Sequence, residues 1–215
     1  MSTTLFHNND FWILSKPPKT HTEEEVSGWA AVHRLDFETS GCLLYCRPEL
    51  LNATRALFQS KNPDMIRKLY LCGASREVRS VGWGAPALVQ GYVGGRYRNS
   101  KKTQFALDKH RLRGWHSVQE AEHTVRKLEP SEVAIYRHVF HGELYEVELI
   151  SGARHQIRAY FANEGSALMH DPVYGEVGSA TEASAEMRME LHAIKLEFEH
   201  PLKPGEWIRA EAPLK

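Results

Sequence analysis

No hydrophobic run in this sequence is long enough to cross a membrane. A membrane-spanning helix needs about 20 consecutive apolar residues, and polar side chains interrupt every apolar stretch here well before that length. Residues 1–10 also lack the basic and apolar regions of a secretory signal. We therefore expect a protein that does not partner a membrane.

Cysteine is scarce as well. The three cysteines, Cys42, Cys46 and Cys72, form an odd set without the spacing of a metal site. Cys42 and Cys46 lie in an apolar segment, which favours small buried thiols in a reducing compartment. This usage of cysteine predicts a cytoplasmic location.

Histidine is abundant, with 12 residues, but the ligand spacings of metal sites are missing. No HExxH or comparable pair occurs, and such a pair is what places two imidazoles on one face of a helix. A metal-dependent hydrolase is therefore a poor interpretation, and we expect no metal.

The sequence has no excess of either charge, because 27 basic residues balance 27 acidic ones. This balance argues against a surface that is positive throughout, but it permits a local basic face. Residues 95–113 hold such a concentration, interleaved with Tyr97 and Phe105: Arg96, Arg98, Lys101, Lys102, Lys109, Arg111 and Arg113. The stretch fits a phosphate backbone with stacked bases, and it fits an ordinary solvated loop equally well.

The pattern of apolar residues predicts many strands and two clear helices. One helix begins near Arg47 and ends before Asn62, and another covers Arg154 to Ala162 with Ser151 or Gly152 as its N-cap. Residues 80–95 are interpreted as irregular. The predicted strands are 11–14, 41–46, 67–73, 121–128, 133–140, 144–150, 190–199 and 207–210. We predict a single α+β domain over residues 1–215, with a mostly antiparallel or mixed central sheet and flanking helices.

Three places in this pattern favour chemistry. Asp36 stands beside Arg34 and just before a buried strand, which suits a catalytic carboxylate or a structural ion pair. The strand at 67–73 points Lys68 and Tyr70 to the same face. A third cluster gathers near the start of the second helix, where donors suit a phosphate or carboxylate: Arg154, His155 and Arg158.

Five segments carry a resemblance to a known family. In chain order they are HRLDFETSG, KLYLCG, SGARHQIRAYF, GSALMHDPVYG and LHAIKLEFEHPL. Together they resemble the successive signatures of the RluA family of pseudouridine synthases, from about Phe11 to Pro213. The resemblance implies an isomerase that converts uridine to pseudouridine in rRNA or tRNA, without cofactor or metal. It also implies a catalytic domain alone, without the S4-type RNA-binding domain of some members.

The resemblance implies roles for particular residues. Asp36 corresponds to the essential aspartate, and Tyr70 to the tyrosine that packs on the uracil and serves as, or assists, the base. The position of the family's arginine holds Ala153, so we predict that the neighbouring Arg154 takes its role and pairs with Asp36. Arg158 is the second candidate for that role.

Further residues are predicted to contact the RNA, each with plain ion pairing or helix capping as the alternative. They are Arg34, Lys68, His155, Gln156 and Arg158. The loops 79–113 and 176–188 are expected to select the target, and the protein is expected to be a monomer. A different class of function stays open. The shift of the arginine and the zero net charge also fit an RNA-binding or RNA-folding protein that keeps the fold with little or no turnover.

Overall fold

The computed structural model describes residues 2–98, 100–175 and 187–214. The chain forms two compact units: Met1–Tyr70 with His192–Lys215, and Leu71–Leu191. The strands are β1 (Thr3–His7), β2 (Phe11–Lys16), β3 (Glu25–Val26), β4 (Trp29–Ala31), β5 (Ser40–Cys46), β6 (Ile66–Ala74), β7 (Ala87–Gly95), β8 (Thr103–Ala106), β9 (His116–Lys127), β10 (Glu143–Leu149), β11 (Leu191–Glu199) and β12 (Trp207–Glu211). The α-helices are α1 (Leu51–Gln59), α2 (Pro130–Tyr136) and α3 (Gln156–Asn163).

The first unit is built on a mixed sheet. Its strand order is β1-β2-β5-β11-β6, with β12 on β11 and β4 on β5. β2 and β5 run antiparallel, whereas β5 and β11 run parallel and pair Ser40 with His192 and Gly41 with Ala193. Gly41 has φ 112°, and a side chain there would overlap the backbone of Ala193. Only glycine therefore allows β5 to lie this close to β11.

The core of the first unit comes from the alternating apolar residues of these strands. Phe11 and Phe198 are fully buried and meet edge to face, with ring centroids 5.0 Å apart. β5 is buried along its whole length, as the unbroken apolar run predicts for a central strand. The predicted strands at 11–14, 41–46, 190–199 and 207–210 are all present.

The second unit holds an antiparallel sheet in the order β10-β9-β7-β8. Val147 pairs with Val125 in the register of β10 and β9, and both are fully buried. The ring of Tyr160 from α3 packs edge to face on Phe105 of β8, at 5.5 Å. The α+β prediction, with a mostly antiparallel or mixed sheet and flanking helices, is confirmed; the single domain over 1–215 stays a prediction.

The interpretation of residues 80–95 as irregular holds for 80–86 but is wrong for the rest, because β7 occupies Ala87–Gly95. Glycine usually disfavours strands, and this stretch is rich in it. Here the missing side chain of Gly91 leaves room for the ring of Phe105 on the neighbouring strand. Packing across the sheet therefore outweighs the local preference.

The strand predicted over 133–140 is also wrong, because residues 130–136 form α2. Glu129 and Glu132 form a capping box, and Pro130 occupies the first turn, which are both helix-start signals. No residue of α2 is buried, so its apolar residues show no helical period. The hairpin predicted at His141–Glu143 is therefore a connection from helix to strand.

The start of α3 differs from the predicted one. The N-cap is His155, which has a left-handed backbone with φ 55°, rather than Ser151 or Gly152. Arg154 and His155 therefore precede the helix, and Arg158 lies inside it. The end near Gly165 is as predicted, since Gly165 has φ 72° just beyond the helix. Of the predicted loop 176–188, residues 176–186 lie outside the described residues.

Candidate active site

The loop that carries Asp36 connects β4 to β5 and is anchored at both sides of the carboxylate. The Thr39 amide donates to the Asp36 carbonyl at 3.1 Å, which closes a turn. On the other side the Leu35 amide donates to the Thr22 hydroxyl at 3.3 Å. The Asp36 side chain itself is half-buried. The turn thus holds a carboxylate at a fixed place in the first unit.

Lys16, which the sequence did not single out, anchors this loop through hydrogen bonds. The residue is 3% exposed, and its ammonium donates to the carbonyls of Thr20 at 2.9 Å and Phe37 at 3.3 Å. Burial lowers the pKa of Lys16 to about 8, against the opposing effect of the carboxylates of Asp36 and Glu38. The sequence does contain a signal for the burial of Lys16, because this lysine lies two residues after Leu14 and therefore on the same buried face of β2.

Tyr70 lies in the first unit, close enough to Asp36 for the carboxylate charge to act on its phenol. The side chain is 8% exposed. Burial raises the pKa of Tyr70 far above its ordinary value, and the nearby Asp36 carboxylate raises it further. The phenol is therefore neutral in the protein at neutral pH. The structure brings the predicted carboxylate and the predicted tyrosine into electrostatic contact.

Lys68 lies on the same buried face of β6 as Tyr70, while the intervening Leu69 is less buried. Its side chain is 9% exposed, and its ammonium lies 5.9 Å from the centroid of the Phe58 ring. It makes no hydrogen bond or ion pair with any residue that the structure describes. Burial lowers the pKa of Lys68 to about 8. Among the described residues, the Lys68 ammonium is therefore a buried charge that has no carboxylate partner.

Replacing Lys68 with methionine is expected to raise the free energy of unfolding at pH 7 by about 1–3 kcal/mol, because it removes a buried charge. The pKa of Lys68 falls from 10.5 to about 8 on folding. The wild-type protein therefore gains stability as the pH rises from about 8 to 10.5, and the difference from the variant shrinks in that window. Urea unfolding at pH 7 and pH 10 measures both values.

Lys16→Met is the matched control for that substitution. The ammonium of Lys16 donates to backbone carbonyls, so its removal leaves acceptors unpaired and is expected to lower stability at pH 7. A Lys68→Met variant that is less stable than wild type at pH 7 would contradict the prediction.

His33 is a scaffold residue of the same loop. Its Nε2 accepts a hydrogen bond from the Leu44 amide at 3.2 Å, and its ring stacks on Phe58 at 5.2 Å. Burial, followed by the charge of Lys68, lowers the pKa of His33 to about 4. The imidazole is therefore neutral at physiological pH and ties the loop to β5.

Ser40 and His192 join the end of the loop to β11. His192 Nε2 lies 2.8 Å from the Ala212 carbonyl, which can only accept, so Nε2 carries the proton. Its Nδ1 is then an acceptor for the Ser40 hydroxyl at 2.7 Å. This pair locks the C-terminal side of the Asp36 loop to the core.

Arg154 belongs to the second unit and is exposed. Its Nη1 donates to the Ser100 carbonyl at 3.0 Å, within the basic stretch. Asp36 belongs to the first unit, and the predicted pairing of Arg154 with Asp36 stays a prediction. In the left-handed N-cap at His155, the Nδ1 atom lies 3.2 Å from the hydroxyl of Tyr174.

Arg158 is paired with Asp171 inside the second unit. Its Nε and Nη2 donate to the two carboxylate oxygens, each at 2.8 Å. The two side chains are 3% and 0% exposed. Asp171 also accepts hydrogen bonds from the amides of Val173 and Tyr174. The geometry favours a structural role for Arg158, and its contact with RNA stays a prediction.

Gln156 uses both ends of its carboxamide within the second unit. The oxygen accepts from the Ser151 hydroxyl at 2.9 Å and the Ala153 amide at 3.0 Å, and the nitrogen donates to the Glu122 carbonyl at 3.1 Å. These bonds shape the turn before α3. Contact of Gln156 with substrate remains a prediction, as it does for Arg34, which is exposed in the first unit.

His170, just before the buried Asp171, has a left-handed backbone with φ 58°. Replacing it with glycine is expected to raise the free energy of unfolding by about 0.5 kcal/mol, because a Cβ is unfavourable there. Exposed His138 lies outside that backbone region, so His138→Gly should lower stability by about 0.5–1 kcal/mol. Thermal or urea unfolding compares the two variants, and equal losses in both would contradict the prediction.

Two lysines of the basic stretch lie near aromatic rings from other parts of the second unit. Lys102 lies 5.0 Å from the ring centroid of Tyr174, and Lys109 lies 5.9 Å from that of Tyr92. Among the described residues no group of three or more His, Cys, Asp or Glu side chains could hold a metal ion. Across the same ranges, none of the helices combines the length and apolar character that a membrane crossing requires.

The family model for RNA pseudouridylate synthase matches residues 9–163. The chain belongs to the RNA pseudouridylate synthase family. The predicted resemblance to the RluA-type pseudouridine synthases is thereby confirmed.

Two relatives illustrate the similarity. Ribosomal large subunit pseudouridine synthase C of Yersinia pestis is 31% identical over 190 residues, which cover 85% of this chain and 51% of the relative. Ribosomal large subunit pseudouridine synthase D of Xanthomonas campestris is 30% identical over 192 residues, with 85% and 50% covered. The chain thus spans about half the length of the curated relatives it matches.

Two solved structures share the fold. Human RNA Pseudouridylate Synthase Domain Containing 1 superposes with a TM-score of 0.72 at 18% identity, covering 99% of this chain and 83% of that one. Human RNA Pseudouridylate Synthase Domain Containing 4 gives a TM-score of 0.64 at 16% identity, with 99% and 88% covered.

Proposed function

We propose that this protein is an RNA pseudouridine synthase that isomerises particular uridines. The observation that carries the proposal is the arrangement of Asp36 and Tyr70. Both residues lie within the part of the chain that matches the family, and the carboxylate is close enough to raise the pKa of the phenol. Lys68 adds a buried ammonium on the same face of β6 as Tyr70.

The reaction is an isomerisation whose atoms balance without a cofactor. The bond from ribose C1′ to uracil N1 breaks, C5 of the uracil bonds to C1′, and the proton of C5 leaves while N1 gains one. Asp36 is proposed to act as the nucleophile, or as the base that removes a ribose proton. A uridine inside a stacked helix must first be flipped out, at a cost of a few kcal/mol.

Tyr70 is proposed to pack on the uracil as a neutral phenol. A phenolate base would need a lowered pKa, whereas burial and the Asp36 carboxylate both raise it. When Asp36 loses its charge during the reaction, its contribution to the pKa of Tyr70 disappears and the phenol ionises more easily. The tyrosine can therefore assist at the later C5 proton step.

The substrate is proposed to be ribosomal RNA of the large subunit, by analogy with the two relatives, which are named ribosomal large subunit pseudouridine synthases. A transfer RNA is the other candidate. We propose a monomer that acts in the cytoplasm, in keeping with three buried free thiols. Neither a metal nor an organic cofactor enters the proposal.

A catalytically weak RNA-binding protein is the second candidate function. Ala153 stands where the family has its arginine, and Arg154 donates to the backbone carbonyls of Ser100 and Lys101. If Arg154 keeps these partners when RNA binds, the site lacks the family's cation. The intact Asp36 and Tyr70 favour the enzyme.

Arg154→Ala is expected to lower the rate of pseudouridine formation by about 10²–10³-fold, because the variant loses the cation that is predicted to pair with Asp36. Arg154→Lys keeps the charge and should retain more of the activity. Pseudouridine is measured in single turnover at saturating enzyme. Full activity in Arg154→Ala, with loss in a folded Arg158→Ala, would assign the role to Arg158 instead.

The direct test uses purified protein and transcribed large-subunit ribosomal RNA that carries tritium at C5 of uridine. The proposed enzyme releases tritium into water, because the C5 proton leaves in the reaction. Comparing pseudouridine maps of RNA from cells with and without the gene then identifies the site. Binding without tritium release, with identical maps, would support the non-catalytic alternative.

A further inference from the structure

A cleft of about 500 Å³ lies within the first unit, beside the loop that carries Asp36. Neither Asp36 nor Tyr70 lines it, whereas Arg34, a predicted RNA contact, does. Its lining residues are Thr22, Glu24, Ala31, Val32, His33, Arg34 and Arg55. Arg34 precedes Asp36 by two residues, which span at most about 7 Å. A strand with a uridine at Asp36 therefore has an adjoining nucleotide within reach of the cleft.

Arg55 projects from α1 and is held in a defined orientation. Its Nε donates to the Val32 carbonyl at 3.3 Å, and its Nη2 donates to the Ala31 carbonyl at 2.8 Å. These two bonds fix the plane of the guanidinium. Its Nη1 has no partner within residues 2–98, 100–175 and 187–214. The side chain is exposed, so a preorganised cationic donor is available to a ligand in the cleft.

The charges of the cleft do not neutralise one another. In the described part of the chain, neither Arg34 nor Arg55 forms an ion pair with Glu24. The cleft therefore offers guanidinium donors together with a separate carboxylate acceptor. A phosphate satisfies the first, and the N–H groups of a base edge satisfy the second. This combination favours a nucleotide over a bare anion.

We propose that this cleft binds the nucleotide next to the target uridine, with Arg55 donating to its phosphate and Glu24 accepting from its base. The inference rests on the proposed function, since it takes RNA as the substrate. Arg55 is a binding residue in this scheme and takes no part in the chemistry. Its loss is expected to act on RNA affinity and KM, with little change in kcat.

The test measures binding of transcribed large-subunit ribosomal RNA between 50 and 200 mM KCl. Arg55→Ala is expected to raise Kd about 5–10-fold and to reduce the slope of log K against log salt by about 0.7–0.9, as for the loss of one phosphate contact. KM for tritium release should rise by a similar factor, with kcat within about twofold. In ethylation interference, modification of one phosphate should weaken RNA binding by the wild-type protein and leave RNA binding by the variant unchanged.

Two further variants separate binding from folding. Arg55→Gln keeps an N–H donor for the backbone carbonyls but has no charge, so it should show the same loss of slope. Arg137 is an exposed arginine that also donates to two carbonyls, those of His141 and Gly142. Arg137→Ala should leave the slope, Kd and KM unchanged.

The outcomes are distinguishable from failure of the proposed function. Wild-type tritium release with an unchanged salt slope in a folded Arg55→Gln overturns the cleft proposal alone. An equal reduction of slope in Arg137→Ala overturns it as well, because the effect would then be general. A wild-type protein that neither binds the RNA nor releases tritium overturns both proposals.

Discussion

Replacing Asp36 with asparagine is expected to lower the rate of pseudouridine formation by about 10⁴-fold or more, because the amide can act neither as nucleophile nor as base. The side chain keeps its volume, and the loop remains anchored through Thr22, Lys16 and the Thr39 amide. RNA affinity should therefore stay within about threefold of wild type. Tritium release in single turnover measures the first quantity, and equilibrium binding measures the second.

Glu38→Gln provides the matched control. Glu38 lies in the same loop, and its carboxylate, like that of Asp36, raises the pKa of Lys16. It has no proposed part in the chemistry, so its loss should change the rate by less than about threefold. An Asp36→Asn variant that retains more than a tenth of the wild-type rate would mean that Asp36 is not the reacting carboxylate.

Replacing Arg158 with alanine is expected to lower the free energy of unfolding by about 3–5 kcal/mol. The substitution leaves the carboxylate of Asp171, which is 0% exposed, without its two guanidinium donors. The remaining amides of Val173 and Tyr174 do not supply a compensating charge. Urea unfolding measures the loss, and activity should fall with the folded fraction.

A double variant separates this structural role from catalysis. Arg158→Met with Asp171→Asn removes both charges, and the carboxamide oxygen that replaces the carboxylate can still accept from the two amides. Most of the stability should return, because a buried pair is far less costly to replace than to break. An Arg158→Ala variant of wild-type stability would contradict the buried pair. A fully folded double variant without turnover would indicate that Arg158 also serves the reaction.

Local signals in the sequence were enough to predict a strand wherever the buried residues form a continuous run or alternate regularly. The continuous apolar run of β5 and the alternation of β11 predict their strands, because central and half-buried strands impose those patterns. The alternation of β6 places Lys68 and Tyr70 on one face. The motifs, read together, identify the family, because a chemistry requires particular side chains at particular separations.

Other features required the tertiary structure. The strand β7 forms because Gly91 admits the ring of Phe105 from β8, a contact that no local pattern reports. The helix α2 has no buried residue, so it leaves no hydrophobic period to detect. Only its caps signal it.

For the candidate site, the sequence by itself determined which carboxylate, tyrosine and arginines to consider. The tertiary structure decided what surrounds them. It joined Lys16 to the Asp36 loop by a hydrogen bond, buried Lys68 without an ion pair to any described residue, and paired Arg158 with Asp171. These outcomes depend on groups far apart in the chain, whose hydrogen bonds and desolvation exist only once the chain has folded. Residue identity follows from sequence, whereas protonation state and available donors follow from packing.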